Sequence, residues 1–555
     1  MSTPDLVIRN ARIVDGTGAA SIEGDLAIAE GRIVAVGGKA PEGRDELDAD
    51  GRVVSPGFVD IHTHFDPQLC WDGLATPSLE HGVTTIVTGN CSLSLAPVRP
   101  GRSSKLVEMF EVIEDIKERT FDAAVPFSWE SFPEYLDHLR PRLGINVGAL
   151  VGHSALRYYV MGDESQERKA TAAEIEEMCG LMEEAMAAGA LGLSGSYVDA
   201  DRSMRPVPCR FADRDEVIAL CRAMRKSGRG VYQVVPYFVD LEQQVENIAE
   251  LGEISRAADV LCSLQPILSG PGSPEARESI EAMEAEQAKG GRVFGQVMPR
   301  NFDLALRLSE TSMLLFPLRT WKKIMDEPVE ERIRMFSDPS IRPGLVEEMR
   351  NGGSIAAGIP FLRVGAVRSP ENQRYVGKAL VEIATEEGRE IGDVLLDISL
   401  ADDLEAEFRL EGVMNADKQA VAGLMDHPLC HVGASDAGAH VTQFCGTGDT
   451  THLLEHYVRE TGRMTLERAV HRLTGEVAEA WGLSDRGRLE EGLAADVVVF
   501  DPETVSVSGN QFVNDFPGEA NRYVRRSEGY HAVVVNGEIA WQGGAYTGRR
   551  AGRIV

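Results

Sequence analysis

The sequence predicts an α/β protein: a (β/α)8 TIM barrel with a small β-sandwich domain formed from both termini and a helical insertion. Three observations lead to this prediction. Both ends of the chain contain short segments in which apolar and polar residues alternate between Gly and Asn/Asp turns. Between them, eight short apolar segments alternate with helix-like stretches. The interval between the last two apolar segments is too long for a single helix.

The two ends supply the strands of the small domain. The N-terminal part contains DLVIRNARIVD, GDLAIAEGRIVAVGG and LDADGRVVSPG, and the C-terminal part contains ADVVVFDP and HAVVVNGEIAWQGG. The two ends of a closed barrel lie near each other, so these segments can meet in one domain. We therefore assign 1–56 and 485–555 to a composite β-sandwich and 57–484 to the barrel.

The barrel strands follow from the apolar segments in the middle of the chain. They are predicted at 57–64, 84–91, 145–153, 190–196, 230–235, 260–266, 292–298 and 430–436. The stretch TAAEIEEMCGLMEEAMAAGA is typical of the helices between them, with apolar residues three to four apart and acids near its start. Residues from about 300 to 425 predict a helical insertion that covers the barrel mouth.

Composition excludes several classes of partner. The 555 residues include 56 Lys+Arg and 87 Asp+Glu, which gives a formal charge of −31. Nucleic acids and anionic membrane surfaces would repel this charge. The eight cysteines form no CxxC pair, and neither a signal peptide nor an apolar run of about 18 residues is present. We expect a cytoplasmic protein with reduced thiols, a small-molecule ligand and, at most, copies of itself as partners.

Asp60, His62 and His64 form the strongest chemical signal. Residues two apart share one face of a strand, and a barrel carries its reactive groups at the carboxyl ends of its strands. Two imidazoles at the end of strand one make a partial site for a divalent metal. The alternative is a pair of hydrogen-bonded core histidines.

Asp436 follows strand eight in the segment GASDAGAH. A carboxylate beside small residues suits a metal ligand or a proton carrier, whereas the alternative is a helix N-cap. Strand eight neighbours strand one in a closed barrel, so the combination of Asp436 with His62 and His64 favours the metal site.

Four segments resemble the amidohydrolase superfamily, within it the D-aminoacylase (N-acyl-D-amino-acid deacylase) branch. They are PGFVDIHTHFD, GVTTIVTGNC, SDAGAH and GRLEEGLAADVVVFDP, and the resemblance covers nearly the whole chain in order. It implies a zinc-dependent hydrolase of amide bonds, in which His62, His64, Cys91 and Asp436 bind metal and Asp436 is general base and acid.

Cys91 is the thiolate ligand that the resemblance implies. Strand four reads LGLSGS and holds no lysine that could bridge two metals, so a thiolate would supply negative charge in its place. Without the resemblance, a buried inert thiol is the alternative for Cys91.

Strands five and six depart from the family pattern, which places a metal-binding histidine at the end of each. Here GVYQVVPY and LCSLQPIL offer Gln233 and Gln265, or Ser263. A Gln amide is a poorer zinc ligand than imidazole. We therefore expect one zinc ion and a second site that is weak or absent.

Three residues are candidates for substrate binding. His153 and Arg157 lie in GHSALRYYVMG, which resembles the GHxxLR stretch of the family, and Tyr197 follows strand four. His153 could polarise the scissile carbonyl, Arg157 could bind a carboxylate through two hydrogen bonds, and Tyr197 could donate one. The alternatives are a capped loop histidine, a surface arginine and a packing tyrosine. No basic residue stands in QPI near strand six, where the family binds the substrate carboxylate, which places N-acyl-D-amino acids themselves in question.

The predicted activity is hydrolysis of a C–N amide bond of an N-acyl amino acid or a related small amide. Asp436 takes a proton from the attacking water and returns it to the leaving nitrogen. One alternative is a cyclic amide or imide hydrolase on the same scaffold, which Cys91 and the missing strand-four lysine disfavour. A second is an inactive binding protein, which the glutamines at 233 and 265 suggest.

Overall fold

Eight parallel strands form the centre of the molecule. The computed structural model describes residues 3–238, 240–270, 273, 275–352 and 357–555. Its barrel strands one to eight are Phe58–Asp60, Val83–Thr88, Asn146–Gly152, Gly192–Ser196, Val231–Val235, Leu261–Leu264, Val293–Val297 and Cys430–Val432. Each pairs with the next in chain order. All eight predicted strands are therefore confirmed, and the barrel prediction with them.

Backbone hydrogen bonds bring strand eight next to strand one. Ile61 N–H donates to Gly433 O over 3.0 Å, just beyond the regular part of strand one. Further along, Asp436 N–H donates to His62 O over 3.0 Å, and His64 N–H donates to Ala437 O over 2.8 Å. These contacts place the segment that carries Asp436 beside the two histidines.

Both ends of the chain contribute to one nine-stranded sheet. Its strands are Leu6–Ile13, Ile22–Ala29, Arg32–Val36, Asp45–Asp48, Val53–Pro56, Val497–Phe500, Tyr530–Val535, Glu538–Gln542 and Ala545–Tyr546. Val53–Pro56 runs antiparallel to Val497–Phe500, with Val54 opposite Val499, and this pair joins the two ends. The alternating valines and isoleucines of these strands pack into one apolar cluster. The exact limits 1–56 and 485–555 of this domain stay a prediction.

The insertion between strands seven and eight has its own core. Besides helices it contains an antiparallel sheet of Phe302–Leu306, Arg363–Ala366 and Glu407–Met414, with the last strand in the middle. Trp321 and Phe408 are fully buried within it. The prediction named only the helices, because short strands in a mixed apolar segment resemble buried helix turns. Residues 353–356 of this predicted insertion lie outside the described residues.

Helices surround the barrel and build the insertion. The α-helices are Ser104–Glu114, Glu118–Ala124, Phe132–Leu139, His153–Met161, Ala172–Ala188, Arg214–Arg225, Leu241–Ala258, Arg277–Ala288, Arg319–Met325, Val329–Ser337, Arg342–Arg350, Leu380–Glu387, Ile391–Leu400, Lys418–Asp426, Asp449–His452, Leu466–Leu473 and Gly475–Ala480. A π-helix, Leu453–Glu460, continues the helix that ends at His452. Two strand pairs, Ser506–Val507 with Ser527–Glu528 and Gln511–Phe516 with Ala520–Val524, lie outside the main sheets.

Local signals explain where the predicted helix after strand three begins and ends. Thr171 caps Ala172–Ala188 because its side chain accepts a hydrogen bond from Glu174 N–H. In turn, the Glu174 carboxylate accepts a hydrogen bond from Thr171 N–H. Gly189 ends the helix in the left-handed conformation. Among the helices of the described ranges, none has the length and apolar content needed to cross a bilayer.

Candidate metal centre

Four side chains from strands one, two and eight converge at the barrel mouth. The Nε2 atoms of His62 and His64 lie 3.3 Å apart. Cys91 Sγ lies 3.4 Å from His62 Nε2, and Asp436 Oδ1 lies 3.3 Å from His64 Nε2 and 3.7 Å from His62 Nε2. The structure thus brings together the four residues that the resemblance implied as ligands.

The backbone holds Cys91 and Asp436 in an unusual conformation. Their φ angles are 54° and 60°, in the left-handed region that side chains other than glycine and asparagine rarely adopt. The Cys91 N–H donates to Gln233 Oε1 over 3.1 Å, and the Asp436 N–H donates to His62 O. These bonds hold the two candidate ligands at turns that directly follow strands two and eight.

Each histidine has a different neighbour at its other ring nitrogen. His62 Nδ1 is hydrogen-bonded to Gln296 Oε1 over 2.9 Å, whereas His64 Nδ1 lies 3.1 Å from Glu114 Oε1 in an ion-pair contact without hydrogen-bond geometry. In a neutral ring, a proton on Nδ1 leaves the Nε2 lone pair free for a metal, and Gln296 can accept this proton from His62.

The electrostatic environment shifts the pKa values of the two histidines in opposite directions. Burial lowers the pKa of His62 to about 3, so its ring is neutral. Burial also opposes charge on His64, but Glu114 and Asp436 outweigh it and raise the pKa of His64 to about 9. Burial also raises the pKa of Glu114, and the charge of His64 opposes this effect. The two acids thus favour a proton on His64.

The four donors fit a divalent transition metal. Imidazole nitrogen, thiolate sulfur and carboxylate oxygen are the donor types found in zinc sites, and the donor atoms of His62, His64 and Cys91 all lie within 4.8 Å of one another. Burial, followed by the charges of nearby acids, raises the pKa of Cys91 well above its usual value. A coordinating cation deprotonates such a thiol.

The two glutamines differ in their relation to this centre. Gln233 reaches it, with Nε2 3.4 Å from His62 Nδ1 and Oε1 bonded to Cys91 N–H. Gln265 is buried, and no hydrogen bond joins its side chain to Cys91, His62 or Gln296 within the described part of the chain. Ser263, the alternative at strand six, instead accepts a bond from Gln296 Nε2 over 2.9 Å. Gln233 and Ser263 are neighbours across strands five and six.

His153 and Tyr197 line a cavity of about 240 Å³ beside the ends of strands four and five. Arg157 lies elsewhere: it is fully buried, and its Nη1 lies 2.5 Å from Glu216 Oε2. The other oxygen of Glu216 lies 2.8 Å from His153 Nε2. Arg157 also donates to Arg168 O over 2.9 Å. Its guanidinium therefore binds groups of the protein and does not face the cavity as the sequence predicted.

Sequence reasoning missed Glu114 and Gln296. Glu114 ends a helix, where an acid gives no signal of a site. Gln296 gave a usable signal, because it is a buried polar residue two positions after Phe294 within an otherwise apolar strand. Arg300, which follows strand seven, donates to Ser435 O and forms an ion pair with Asp449.

A profile described as the amidohydrolase family matches residues 45–540. The chain belongs to this family. A D-aminoacylase of Alcaligenes xylosoxydans xylosoxydans is 30% identical over 516 residues, which cover 90% of this chain and 87% of the relative. The resemblance to the D-aminoacylase branch is thereby confirmed.

Two solved structures of this branch are similar over the whole chain. One is a D-aminoacylase studied for its binuclear metal center, with one-metal activation and second-metal attenuation; it is 29% identical, with a TM-score of 0.68 and 99% coverage of both chains. The other is an N-acyl-D-glutamate deacylase from Bordetella bronchiseptica complexed with zinc and a phosphonate inhibitor. It is 26% identical, with a TM-score of 0.67 and coverage of 100% of this chain and 99% of the other.

Proposed function

We propose that this chain is a zinc-dependent hydrolase that cleaves the amide bond of an N-acyl amino acid, with one ion held by His62, His64, Cys91 and Asp436. The main support for this proposal is that the four donor groups converge, each with its donor atom 3.3–3.4 Å from the donor atom of another. The deacylase names of the relatives support the substrate class.

Asp436 is the group that moves the proton. Its Oδ1 faces the two imidazoles, whereas Oδ2 lies 4.0 Å from His440 Nε2. A bound zinc ion supplies Lewis acidity and lowers the pKa of water to about 7. Asp436 Oδ2 accepts the water proton while the oxygen bonds to the amide carbon, and it delivers that proton to the nitrogen as the C–N bond breaks. The products are a carboxylic acid and an amine.

We place the non-reacting part of the substrate at the cavity lined by His153 and Tyr197. Arg157 supports this cavity indirectly, because it shares Glu216 with His153. A role for Arg157 as a direct carboxylate contact has less support, since its guanidinium already binds Glu216 and a backbone carbonyl.

One ion suffices in this proposal because strands five and six offer Gln233 and Ser263 where a second ion would need strong ligands. The test strips the protein with a chelator and titrates zinc back while following hydrolysis of N-acetyl-D- and N-acetyl-L-amino acids. Activity should return fully at one equivalent. Two tightly held ions per chain would contradict the single site, and cleavage of cyclic imides alone would contradict the substrate class.

A further inference from the structure

Chemically different groups contact the Nδ1 atoms of the two proposed metal-binding histidines. His64 Nδ1 faces the carboxylate of Glu114, which is 1% exposed, and His62 Nδ1 faces the neutral amide of Gln296, which is fully buried. A carboxylate partner makes an imidazole a stronger electron donor than an amide partner does. The two ligands therefore differ in donor strength although both use Nε2.

Gln296 lies between Ser263 and His62. Its Nε2 donates to Ser263 Oγ, and its Oε1 lies 2.9 Å from His62 Nδ1. Gln233 also approaches His62 Nδ1, at 3.4 Å, but through its own Nε2, because its Oε1 is bonded to Cys91 N–H. Gln296 is therefore the acceptor for the Nδ1 proton.

Strands five to seven thus support the first metal position. Gln233, Ser263 and Gln296 lie on adjacent strands, and Gln233 connects the backbone of Cys91 with the ring of His62. In a barrel that bound a second ion here, these side chains would have to coordinate it. Instead Gln233 Oε1 accepts from Cys91 N–H, and Gln296 Nε2 donates to Ser263 Oγ.

We infer that Glu114, through its charge beside His64 Nδ1, and Gln296, through its hydrogen bond to His62 Nδ1, are positioning residues that orient the two rings and thereby set the affinity of a single metal site. This inference rests on the metal centre of the proposed function. Removing such a partner from a metal-binding histidine lowers metal affinity by about 10- to 100-fold.

The experiment measures the zinc dissociation constant by competition with a chelator, at one pH, in the full chain. Glu114→Gln and Gln296→Met should each weaken binding by about 10- to 100-fold. Gln296→Glu should restore affinity to at least the wild-type level, because its carboxylate can accept the same Nδ1 proton. Cobalt-substituted Glu114→Gln should also show a shifted visible absorption band, since the donor strength of His64 changes.

Glu111→Gln is the matched control. Glu111 lies one turn before Glu114 on the same helix, and its carboxylate pairs with Arg202 away from the centre. This variant should bind zinc like the wild type. Thermal unfolding of each metal-free variant shows whether it remains folded.

The outcomes separate this inference from the proposed function. A wild-type chain that binds no zinc would overturn the proposed function. Tight zinc binding by the wild type, with the same affinity in folded Glu114→Gln and Gln296→Met, would overturn the positioning role alone. Equal losses in Gln296→Met and Gln296→Glu would also overturn it, because a packing role does not depend on an acceptor atom.

Discussion

His62 and His64 present their Nε2 atoms to each other at 3.3 Å, with Asp436 Oδ1 in contact with both. Two lone pairs at this distance repel unless a proton or a cation lies between them. Glu114 and Asp436 raise the pKa of His64 to about 9 against the effect of burial, which favours a proton at this place in the metal-free chain. A metal ligand must give that proton up.

Zinc binding at pH 7 should therefore release about two protons, one from His64 and one from the Cys91 thiol. Calorimetry in buffers with different ionisation enthalpies measures this number. Cys91→Ala should release about one proton and bind zinc more weakly. Release of the same number of protons by the wild type and Cys91→Ala would show that Cys91 is not a ligand.

Asp436→Asn should remove turnover while keeping the fold. An amide cannot accept the water proton, and general acid–base groups of this kind contribute about 10²- to 10⁴-fold to the rate. Steady-state kinetics should show this loss in kcat, and circular dichroism should match the wild type. A variant with nearly full kcat would refute the role of Asp436 in proton transfer.

Gly438→Ala should disturb the metal centre through the backbone. Gly438 has φ 87°, and an added Cβ would lie 2.9 Å from the carbonyl carbon and oxygen of His64. Alanine is strained at this φ and needs His64 to move. We expect lower zinc affinity and a lower melting temperature. Gly423→Ala, at a helix position with open space around the added Cβ, is the control and should leave zinc affinity unchanged.

Arg157→Met should destabilise the fold by about 3–5 kcal/mol, because it leaves the buried carboxylate of Glu216 without its guanidinium partner. Denaturant unfolding measures this change. Arg102→Met is the control: Arg102 is 62% exposed and 3.9 Å from Asp163, so its removal should cost less than about 1 kcal/mol. An Arg157 variant with unchanged stability and a raised KM would instead indicate a substrate contact.

Glu216 also predicts a pH dependence of stability. Burial raises its pKa, but the bond to His153 and the charges of His153 and Arg157 outweigh burial, so the pKa lies below its ordinary value of 4.5. A depressed pKa in the folded state stabilises the protein above the unfolded value, and this contribution is lost as the pH falls through the folded value. The free energy of unfolding should therefore decrease below about pH 4.5 more steeply in the wild type than in Glu216→Gln. Parallel curves would contradict this contribution.

The sequence alone was sufficient for the barrel and for the meeting of its first and last strands. Apolar segments of four to eight residues mark buried strands because burial on both faces excludes polar side chains. Once the barrel closes, topology places Asp436 beside His62 and His64, although more than 370 positions separate them along the chain. Cys91 was identified through its motif, since one buried thiol has no distinctive pattern.

Only the tertiary structure showed which residues contact the Nδ1 atoms of His62 and His64. Glu114 reaches His64 from the end of a helix, and Gln296 reaches His62 across the barrel interior. Arg157 had the pattern of a substrate contact, yet it pairs with Glu216. Glu216 belongs to no recognised motif and lies 59 positions away along the chain. The spacing of apolar residues in the sequence indicates which face of a strand or helix is buried, because each buried position by itself favours an apolar side chain. The choice of partner depends on packing between distant segments, so it emerges only when the whole chain is folded.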